Sequence, residues 1–520
     1  MSTEADPDLV ARRVRSRLPG QLVVRVTVGH VEFQEYVLRT HRTEIADQIA
    51  NKFSRTHPEF SAKAGFTRWQ GALGALALFT SAVLLVLAPG VLLVIMAGIF
   101  LATTLVKVIL SIGSLLPSAL PGQRPASARP TKVPDMDAAS LPFYTVLVPV
   151  YDEAAVMSSL VAGLAKIWYP HDRLEILFLI EEHDTVTKEA ALAADMAPYM
   201  RIVELPPGAP QTKPRSCNLG LLLARGDLVT VFDAEDRPEP DQLLKAAAAF
   251  AADEDGKLAC VQARLFFYNA KRNLLTRQYE LEYSLRYGMI LPGLARLGLP
   301  IPLGGTSNHL RTDVLRAVGG WDAWNVTEDA DLGMRCRALG YRVDMIDTVT
   351  WEEATSTPGA WIRQRTRWLK GFMITVLVHT RSPLRTLRRF KPSGMVTLLG
   401  ILAASPLMFL TQPVATVLLL LASLGVGWSS LGDGAHISIT GTILVVATVL
   451  NVGITLVAAM FRRMAYSHLA CLLPGYWLLY WVAAWRALGQ LIRSPFTWEK
   501  TPHGRDTGDD LPHTREAAVS

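Results

Sequence analysis

Two regions of the chain are nearly free of charged residues, and each is long enough to cross a membrane more than once. In the first, residues 72–116, the only charged residue is Lys107, and Pro89 followed by Gly90 indicates a turn. At about 1.5 Å per residue, a helical hairpin here crosses a hydrocarbon core of about 30 Å twice. The pattern therefore predicts a transmembrane hairpin over residues 69–116.

The second region lies near the C-terminus, where Asp433 is the only charged residue between positions 394 and 460. Core helices of soluble proteins seldom run this long without charge, so membrane helices are the preferred interpretation. A further apolar stretch follows, and residues 394–490 account for four of six predicted spans. These four are Met395–Thr411, Pro413–Leu431, Ile437–Met460 and Ala465–Leu488.

One cluster of basic residues precedes each of the two apolar regions. Eleven Lys or Arg residues lie in positions 1–70, and nine lie in positions 363–391. Because cytoplasmic loops retain positive charge, we expect the N-terminus and residues 117–393 in the cytoplasm of a multi-pass inner-membrane protein. Six spans leave Arg462 and Arg463 outside, against this rule. If the third predicted span lay at the membrane interface instead of crossing the membrane, these two arginines would lie in the cytoplasm, but the C-terminal tail would lie outside.

Residues 1–68 are predicted to form a small cytoplasmic α/β module without recognisable chemistry. Alternating apolar residues indicate one strand over positions 22–28 and a second over 31–36. A short helix is expected from Glu44 to Phe53. Five prolines in residues 117–140 indicate a linker between the hairpin and the following region.

The composition narrows the class of protein further. Half of the residues are hydrophobic and 19% are charged, which is unusual for a soluble enzyme. The four cysteines contain no C-x-x-C spacing, which excludes a disulfide scaffold or a zinc ribbon and fits a reducing compartment. The net charge is +6, but the basic residues flank predicted spans, so no nucleic-acid partner is expected.

The cytoplasmic region alternates buried strands with helices. Three continuous apolar runs, residues 145–150, 174–180 and 228–232, are typical of strands buried in a parallel sheet. Each run stops where acidic residues begin, and ligands bind at the carboxyl ends of strands in such sheets. The acidic positions are Asp152, Glu153, Glu181, Glu182, Asp233, Glu235 and Asp236.

Acidic side chains gathered at one edge of a sheet repel one another unless a cation lies among them. Hard cations such as Mg²⁺ or Mn²⁺ bind one or two protein carboxylates together with substrate phosphates. If there were only one acidic cluster, it could be explained by residues that simply end a strand or cap a helix. Three clusters at three strand ends favour a site for a divalent metal and a diphosphate.

Three short motifs follow in order along the chain. Asp233-Ala234-Glu235 stands in the position of a D-x-D motif, Thr327-Glu328-Asp329 forms a T-E-D motif, and residues 364–368 read Q-x-x-R-W. With these motifs, residues 140–380 resemble the membrane-integrated family-2 glycosyltransferases, which include bacterial cellulose, curdlan and hyaluronan synthases. The resemblance extends more loosely to Gly504.

This resemblance implies an α/β fold, a GT-A-type glycosyltransferase domain inserted in a bundle of about six transmembrane helices. The cytoplasmic GT-A domain is expected over residues 141–362 and interfacial helices with the Q-x-x-R-W motif over 363–393. Transmembrane helices are expected over 394–490. A cytoplasmic tail follows over 491–520.

The resemblance also implies roles for individual residues. Asp329 is the general base on the acceptor hydroxyl, with its pKa raised by burial, and Glu328 orients it. Thr327 belongs to this catalytic motif and also fits a helix cap. The implied ligands of Mg²⁺ or Mn²⁺ are Asp233 with either Glu235 or Asp236. The implied donor-binding residues are Asp152, Glu153, Glu181, Glu182, Lys213, Asn218, Asp233, Gln364 and Arg367.

Helical spacing places Gln364, Arg367 and Trp368 on one face of a helix. The resemblance implies that Trp368 packs against the acceptor sugar; a membrane-interface anchor is the alternative for this residue. The other implied acceptor-binding residues are Gly304, Gly305, Thr306 and Ser307. The tail contains a candidate gating loop with Trp498, Lys500, Thr501 and His503.

The implied activity is that of an inverting, metal-dependent hexosyltransferase that uses UDP-glucose or UDP-N-acetylglucosamine. Its acceptor is a growing β-glycan exported through the spans, with accessory export subunits as further partners. A single addition to a lipid-linked acceptor is the alternative within enzymes. A transporter or membrane scaffold with an inactive glycosyltransferase-like domain is the alternative of another class, and intact Asp233, Asp329 and Trp368 argue against it.

Overall fold

The computed structural model describes residues 29–116, 140–424 and 434–499. Three predicted features lie outside these ranges. They are the strand over residues 22–28, nearly all of the Pro-rich linker, and Lys500, Thr501 and His503 of the candidate gating loop.

Two helices open the described part of the chain. α1 spans His30–Thr40 and α2 spans Arg42–Thr56, and α2 confirms the helix predicted around residues 44–53. The strand predicted over residues 31–36 is wrong, because this segment belongs to α1. Glu32 caps the first turn of α1 by accepting a hydrogen bond from the backbone N–H of Gly29 at 3.0 Å, so a local cap outweighs the weak alternation.

The first uncharged region forms the predicted hairpin. α3 spans Arg68–Leu87 and α4 spans Pro89–Gly113, and both are long and apolar enough to cross a membrane. Pro89 occupies the first turn of α4, where its missing N–H and its fixed φ are tolerated. The turn between the two helices therefore lies where the Pro-Gly pair predicts it.

Within residues 140–424, eight of the described strands form one sheet. The strands are β1 (Tyr144–Val150), β2 (Leu174–Glu181), β3 (Met200–Leu205), β4 (Leu228–Val231), β5 (Arg237–Pro238), β6 (Leu258–Phe267), β7 (Asn308–Arg311) and β8 (Arg342–Glu352). Their order in the sheet is β3-β2-β1-β4-β7-β6-β8-β5. The neighbours β3, β2, β1 and β4 are parallel, β7 is antiparallel to both β4 and β6, and β8 is parallel to β6.

The three predicted strands are confirmed as β1, β2 and β4. Val146 of β1 and Ile176 and Phe178 of β2 are fully buried, which explains why each strand reads as a continuous apolar run. Helices separate the parallel strands, as expected for a Rossmann-like sheet. The helices of this region are α5 (Met157–Leu164), α6 (Thr185–Ala193), α7 (Lys213–Leu223), α8 (Gln242–Ala251), α9 (Leu274–Leu285), α10 (Leu291–Arg296), α11 (Thr312–Ala317) and α12 (Glu328–Ala338).

The C-terminal part of the described chain is helical. Its helices are α13 (Pro358–His379), α14 (Pro383–Thr397), α15 (Ala404–Ser423), α16 (Gly434–Phe461) and α17 (Leu473–Arg493). A π-helical turn, Leu398–Ala403, joins α14 to α15. The separate spans predicted over residues 395–411 and 413–431 are therefore wrong. Pro406 lies in the first turn of α15, and long apolar helices tolerate an interior proline such as Pro413.

Within the described ranges, four helices are long and apolar enough to cross a membrane. They are Arg68–Leu87, Pro89–Gly113, Pro383–Ser423 and Ala435–Phe461. The predicted bundle of six is not confirmed. Two predicted spans have merged into one, and α17, predicted as the last span, is not among the four.

α17 lies alongside α13 and runs in the same direction. Trp361 of α13 donates a hydrogen bond to the hydroxyl of Tyr476 at 2.9 Å, and one turn further Thr366 donates to the carbonyl of Ala483 at 3.5 Å. Because α13 carries the Q-x-x-R-W motif and several basic residues, α17 follows a charged helix for much of its length.

Arg462, which follows α16, contacts the α/β region. Its guanidinium lies 3.3 Å from the ring centre of Phe266, donates to the hydroxyl of Ser284 at 2.7 Å, and pairs with the carboxylate of Glu280. The C-terminal end of α16 therefore lies next to β6 and α9 of the α/β region.

Candidate active site

A cavity of about 300 Å³ lies at the carboxyl ends of β1, β2, β4, β6 and β8. Side chains of all three sequence motifs contribute to its wall. The predicted site residues that line it are Glu153, Glu181, Lys213, Asp233, Glu235, Gly304, Gly305, Thr306, Thr327, Glu328, Asp329, Gln364, Arg367, Trp368 and Trp498. Residues separated by more than 300 positions along the chain thus share one cavity.

Lys213 is the central cation of this cavity. It is the first residue of α7, and its ammonium donates hydrogen bonds to the carboxylate of Asp233 and to the carbonyl of Gly305, the latter at 2.7 Å. Burial alone would lower the pKa of Lys213, but the charges of Asp233, Cys217 and Glu328 raise it above the ordinary value. Lys213 therefore stays protonated and neutralises part of the acidic cluster.

The turn after β4 holds the D-x-E motif in place. Asp236 accepts a hydrogen bond from the backbone N–H of Asp233 at 2.7 Å and another from the hydroxyl of Thr306. Asp236 is buried and does not belong to the described cavity wall, so its predicted metal contact is not supported. Its carboxylate acts instead as the anchor of the turn that presents Asp233 and Glu235.

The acidic residues of the cavity raise one another's pKa. Burial and the charges of Asp233 and Glu153 raise the pKa of Glu235 well above its ordinary value. Burial and the charges of Asp236, Glu235 and Asp233 do the same for Glu352. These shifts show that the carboxyl groups repel one another when ionised, which favours the protonated forms of Glu235 and Glu352 when no cation is bound.

A divalent cation fits this arrangement in one particular way. Within the described residues, no three His, Cys, Asp or Glu side chains form a preassembled metal cluster. Asp233 and Glu235 both face the cavity, and hard cations bind one or two carboxylates and complete their coordination with phosphate oxygens. The repulsion recorded in the raised pKa of Glu235 is what such a cation relieves.

The T-E-D motif begins α12, with Thr327 in the N-cap position and Glu328 and Asp329 in the first turn. The predicted side-chain cap is not made, because the buried hydroxyl of Thr327 has no hydrogen-bond partner among the described residues. Thr327 packs instead against Gly371 of α13, where an added Cβ would lie only 2.3 Å from its methyl group. This close contact fixes the T-E-D turn against the Q-x-x-R-W helix.

Asp329 and Lys213 both lie close to Gly305. One Asp329 oxygen accepts the backbone N–H of Ala330 at 2.7 Å. The other lies 3.4 Å from the position that a Cβ on Gly305 would occupy, and the Lys213 ammonium lies 3.8 Å from the same position. Gly305 thus leaves the space in which Asp329 and the Lys213–Asp233 pair approach each other.

Glu328 and Asp329 hold their protons differently. Burial, followed by the charge of Asp329, raises the pKa of Glu328 to about 8. Burial also raises the pKa of Asp329, but the N–H of Ala330 and the cations Lys213, Arg286 and Arg367 oppose that rise. The pKa of Glu328 is therefore raised by burial and by its acidic neighbour, whereas nearby cations and a backbone N–H counteract the rise at Asp329.

The Q-x-x-R-W residues have the predicted shared face. Gln364 accepts a hydrogen bond from the hydroxyl of Tyr279 at 2.7 Å, and the guanidinium of Arg367 lies 4.3 Å from the ring centre of Trp498. Trp368 packs against Tyr283, with 6.5 Å between ring centres and an interplanar angle of 30°. All of these residues line the cavity.

Some predicted site residues lie elsewhere in the described structure. Asn218 is not part of the described cavity wall; it donates hydrogen bonds to the carbonyls of Ile49 at 3.0 Å and Trp321 at 2.9 Å and so joins α2 to the loop before α12. Ser307 is fully buried and donates to the hydroxyl of Thr350 at 2.7 Å.

In the described structure, three other acidic residues that were predicted to bind the donor lie in surroundings that differ from the expectation. Asp152 and Glu182 do not contribute to the cavity wall. Asp152 is exposed and has a positive φ of 53°, and its backbone N–H donates to Asp184 at 2.5 Å. Glu181 does line the cavity, but its carboxylate is paired with the buried guanidinium of Arg215 at 2.9 Å. The strand-end rule therefore finds the correct edge of the sheet but not the orientation of each side chain.

The structure adds residues that the sequence patterns did not single out. Glu352 and Glu353 at the end of β8 repeat the arrangement of an apolar run followed by carboxylates, which is the signal that could have found them. Three tyrosines at helical spacing also line the cavity. They are Tyr279, Tyr283 and Tyr287.

Comparison with known proteins identifies the family to which this region is similar. The profile described as "Glycosyl transferase family group 2" matches residues 228–485, and that described as "Glycosyl transferase family 2" matches residues 145–310. The chain region covered by these matches belongs to glycosyltransferase family 2. Residues 145–485 therefore contain a glycosyltransferase family 2 domain, and the family match together with the sheet defines a GT-A-like fold.

Similar proteins include enzymes with lipid and glycan products in their names. The chain is 29% identical over 240 residues to the probable glycosyltransferase YdaM of Bacillus subtilis, covering 46% of this chain and 57% of the relative. It is 30% identical over 247 residues to a β-monoglucosyldiacylglycerol synthase of Nostoc, covering 47% and 52%. The chain thus spans about half the length of the curated relatives that it matches.

Among solved structures, the mannosyltransferase PcManGT of Pyrobaculum calidifontis, in complex with GDP-Man and Mn²⁺, resembles this chain. The TM-score is 0.47 at 18% identity, covering 72% of this chain and 99% of that chain.

Proposed function

We propose that this protein is an inverting glycosyltransferase in which Asp329 is the general base on the acceptor hydroxyl. The observation that carries the proposal is that Asp329 and the Lys213 ammonium, which pairs with Asp233, both lie close to Gly305 in one cavity. An inverting transfer needs a base on one side of the sugar and charge stabilisation of the leaving group on the other. One cavity supplies both, because its wall contains a buried carboxylate and a cationic diphosphate site.

The donor diphosphate lies near Lys213, Gln364 and Arg367 in this proposal. Asp233 and Glu235 would hold a divalent cation, which when bound neutralises the charge on the departing nucleotide. Lys213 supports the same diphosphate through a permanent positive charge. Glu328, protonated at neutral pH, donates a hydrogen bond that orients Asp329 or the acceptor.

The acceptor lies against the aromatic side of the cavity. Trp368 and Tyr283 present stacked rings, and Tyr279 and Tyr287 extend the same surface. Aromatic faces suit the apolar faces of sugars and leave the sugar hydroxyls free. This wall supports a growing β-glycan as the acceptor, with UDP-glucose or UDP-N-acetylglucosamine as the donor.

A lipid acceptor is the second candidate. The similarity to β-monoglucosyldiacylglycerol synthases favours it, as does the presence of four apolar helices, since fewer spans leave less room for a polymer channel. In this alternative a single sugar is added to a lipid-linked hydroxyl that enters the cavity from the membrane.

The proposed topology has four spans and a cytoplasmic catalytic domain in a bacterial inner membrane. α3, α4, the helix ending at Ser423, and α16 cross the membrane, and α17 lies at the interface beside α13. Because Arg462 contacts Glu280, the loop after α16 returns to the cytoplasmic side in this scheme. This removes the conflict between six spans and the positive-inside rule.

The segment after α17 is proposed to cover the donor. Lys370 of α13 donates hydrogen bonds to the carbonyls of Ser494 at 3.3 Å and Thr497 at 2.8 Å, and Glu499 pairs with Arg486 at 2.5 Å. These contacts hold Trp498 against Arg367 at the cavity wall. Of the four residues predicted for the gating loop, Trp498 is the one that lies within the described part of the chain.

The test is a donor screen with the full chain in membranes. Labelled UDP-glucose, UDP-N-acetylglucosamine and GDP-mannose are offered separately with Mg²⁺ or Mn²⁺, and the products are resolved by length and by solvent extraction. The proposal expects transfer from one of the UDP-sugars as a ladder of products. A single labelled product in the organic phase supports the lipid acceptor, and the absence of transfer from every donor overturns both candidates.

A further inference from the structure

Arg365 lies inside the Q-x-x-R-W motif but behind the cavity wall. Its neighbours Gln364 and Arg367 line the cavity, whereas the Arg365 side chain is only 2% exposed and packs into the protein. A buried guanidinium is costly unless its charge and its donors find partners. The partners of Arg365 therefore indicate what the residue does.

Those partners come from the two helices that flank α13. The guanidinium of Arg365 pairs with Glu282 of α9 at 3.1 Å. The hydroxyls of Tyr476 and Tyr480 in α17 donate to the two oxygens of the same carboxylate at 2.8 and 2.7 Å. One hydrogen-bonded ion pair thus joins α9, α13 and α17 and fixes the position of the guanidinium.

The guanidinium also contacts two rings of the cavity wall. Its carbon lies 4.2 Å from the ring centre of Trp368 and 4.2 Å from that of Tyr279. Tyr279 in turn donates its hydroxyl proton to Gln364. The plane of Arg365 therefore supports Trp368 directly and Gln364 through Tyr279.

We propose that Arg365 is a positioning residue of the acceptor subsite. It contacts no substrate in this scheme; it fixes the orientation of Trp368 and Tyr279, against which the acceptor packs. The inference rests on the proposed function, because it takes the Trp368 wall as the acceptor side. Arginine suits the task better than lysine, since its planar group stacks on rings while its donors pair with a carboxylate.

The test uses the full chain in membranes with labelled UDP-glucose and the acceptors already present there. Two rates are measured for each variant: glucose transferred to product and free glucose released by hydrolysis. Inhibition by UDP reports on the donor site separately. Arg365→Gln is expected to lower the ratio of transfer to hydrolysis about tenfold, because loss of two cation–π contacts and the ion pair disorders the acceptor wall.

Two further variants make the result specific. Arg365→Lys keeps the charge opposite Glu282 but not the stacking plane, and it is expected to recover part of the ratio. If Arg365→Gln does not fold, Arg365→Lys provides the test instead. The inference then expects a ratio of transfer to hydrolysis that is lower than that of the parent but above zero, with unchanged inhibition by UDP. Arg363→Gln is the matched control, because Arg363 lies on the same helix and is exposed; its ratio should equal that of the parent.

Two outcomes overturn the inference while the proposed function stands. One is an unchanged ratio in both Arg365 variants. The other is an equal loss of transfer, hydrolysis and UDP inhibition in Arg365→Lys, which would mean that Arg365 only maintains the fold. If the parent enzyme neither transfers nor hydrolyses UDP-glucose but transfers another of the screened sugars, the same variants are compared with that donor. A parent that uses no donor contradicts the proposed function itself.

Discussion

Lys213 donates a hydrogen bond to the carboxylate of Asp233 inside the cavity. The same ammonium contacts the carbonyl of Gly305, and one Asp329 oxygen also lies close to Gly305. A permanent positive charge thus lies near both carboxylates that the proposed reaction uses. In that reaction the donor diphosphate uses this charge in addition to the divalent cation.

Lys213→Gln is expected to raise the KM for the nucleotide sugar about tenfold or more. A charge-assisted hydrogen bond contributes about 1.5–3 kcal/mol, and its loss leaves Asp233 facing the diphosphate without a counter-charge. Initial rates against donor concentration measure this effect. Lys188→Gln is the control, because Lys188 pairs with Glu204 on the partly exposed surface; equal donor KM values for parent and Lys213→Gln would contradict the donor-site assignment.

Glu328 should give the activity an alkaline limb near pH 8. Burial, followed by the charge of Asp329, raises the pKa of Glu328 to about 8, so the carboxyl is protonated at pH 7 and ionises above pH 8. Activity is expected to fall as the pH rises through this value, because Glu328 ceases to donate a hydrogen bond. The measurement is kcat/KM between pH 6 and 10 for parent and Glu328→Gln. The variant should lose the limb and retain activity at neutral pH.

The same shift has a consequence for stability. The folded-state pKa of Glu328 is raised from 4.5 to about 8, so its favourable contribution is complete below pH 4.5 and lost as the pH rises through 8. Glu328→Gln should therefore raise the Tm relative to the parent more at pH 9 than at pH 5. A larger gain at pH 5 would show that the sign of the shift is wrong.

Trp498→Ala is expected to weaken donor binding without abolishing the chemistry. The Trp498 ring contacts the guanidinium of Arg367, and such contacts are worth about 0.5–2 kcal/mol, or about two- to thirtyfold in KM. Trp498→Phe should retain most of the affinity. Trp168→Ala is the control, since that side chain is 63% exposed. The same KM for the alanine variant and the parent would remove Trp498 from the donor site.

Cys471 distinguishes four spans from six without any substitution. It is the exposed cysteine of the chain, whereas Cys217, Cys260 and Cys336 are buried, and it lies in the loop between α16 and α17. The four-span topology expects a membrane-impermeant maleimide to label the protein in inverted vesicles but not in intact cells. Cys471→Ser should abolish the labelling. Labelling in intact cells would show that this loop lies outside the cell and would favour six spans.

The parallel strands and the acidic edge could be predicted because their signals are local. A strand buried on both faces is a continuous apolar run, and carboxylates follow where the run leaves the core. The motif order then placed Asp233, Asp329 and Trp368 at one site, and the structure brings all three to the cavity.

The misplaced residues depend on contacts between distant parts of the chain. Asn218 bonds to the carbonyl of Ile49, 169 positions earlier, and Ser307 bonds to Thr350, 43 positions later. No local pattern distinguishes such a side chain from one that faces a ligand. The carboxylates of β8 were missed because that strand follows a long excursion and does not continue the strand–helix alternation.

The predicted count of six spans is not confirmed for a related reason. Hydropathy identified α17 as a span, yet its aromatic face packs against the charged helix α13, as the hydrogen bond from Trp361 to Tyr476 demonstrates. Apolar character alone does not distinguish burial in lipid from burial against another helix. The basic pair at Arg462 and Arg463 was the sequence signal that opposed six spans.

The central claim is that Asp329 removes the proton from the acceptor hydroxyl. Asp329→Asn keeps the size of the side chain and the hydrogen-bond acceptor for Ala330, but it removes the base. Transfer should fall by at least about a hundredfold, while UDP still competes for the donor site with its parent inhibition constant. Asp331→Asn does not serve as a control, because Asp331 pairs with buried Arg335. Exposed Asp313, in the first turn of α11, provides Asp313→Asn instead.

The most direct measurement is therefore the single-turnover rate of sugar transfer by Asp329→Asn at saturating donor, with UDP inhibition measured on the same preparation. We predict loss of transfer with intact nucleotide binding. Transfer at the parent rate would contradict the assignment of the base and, with it, the proposed mechanism.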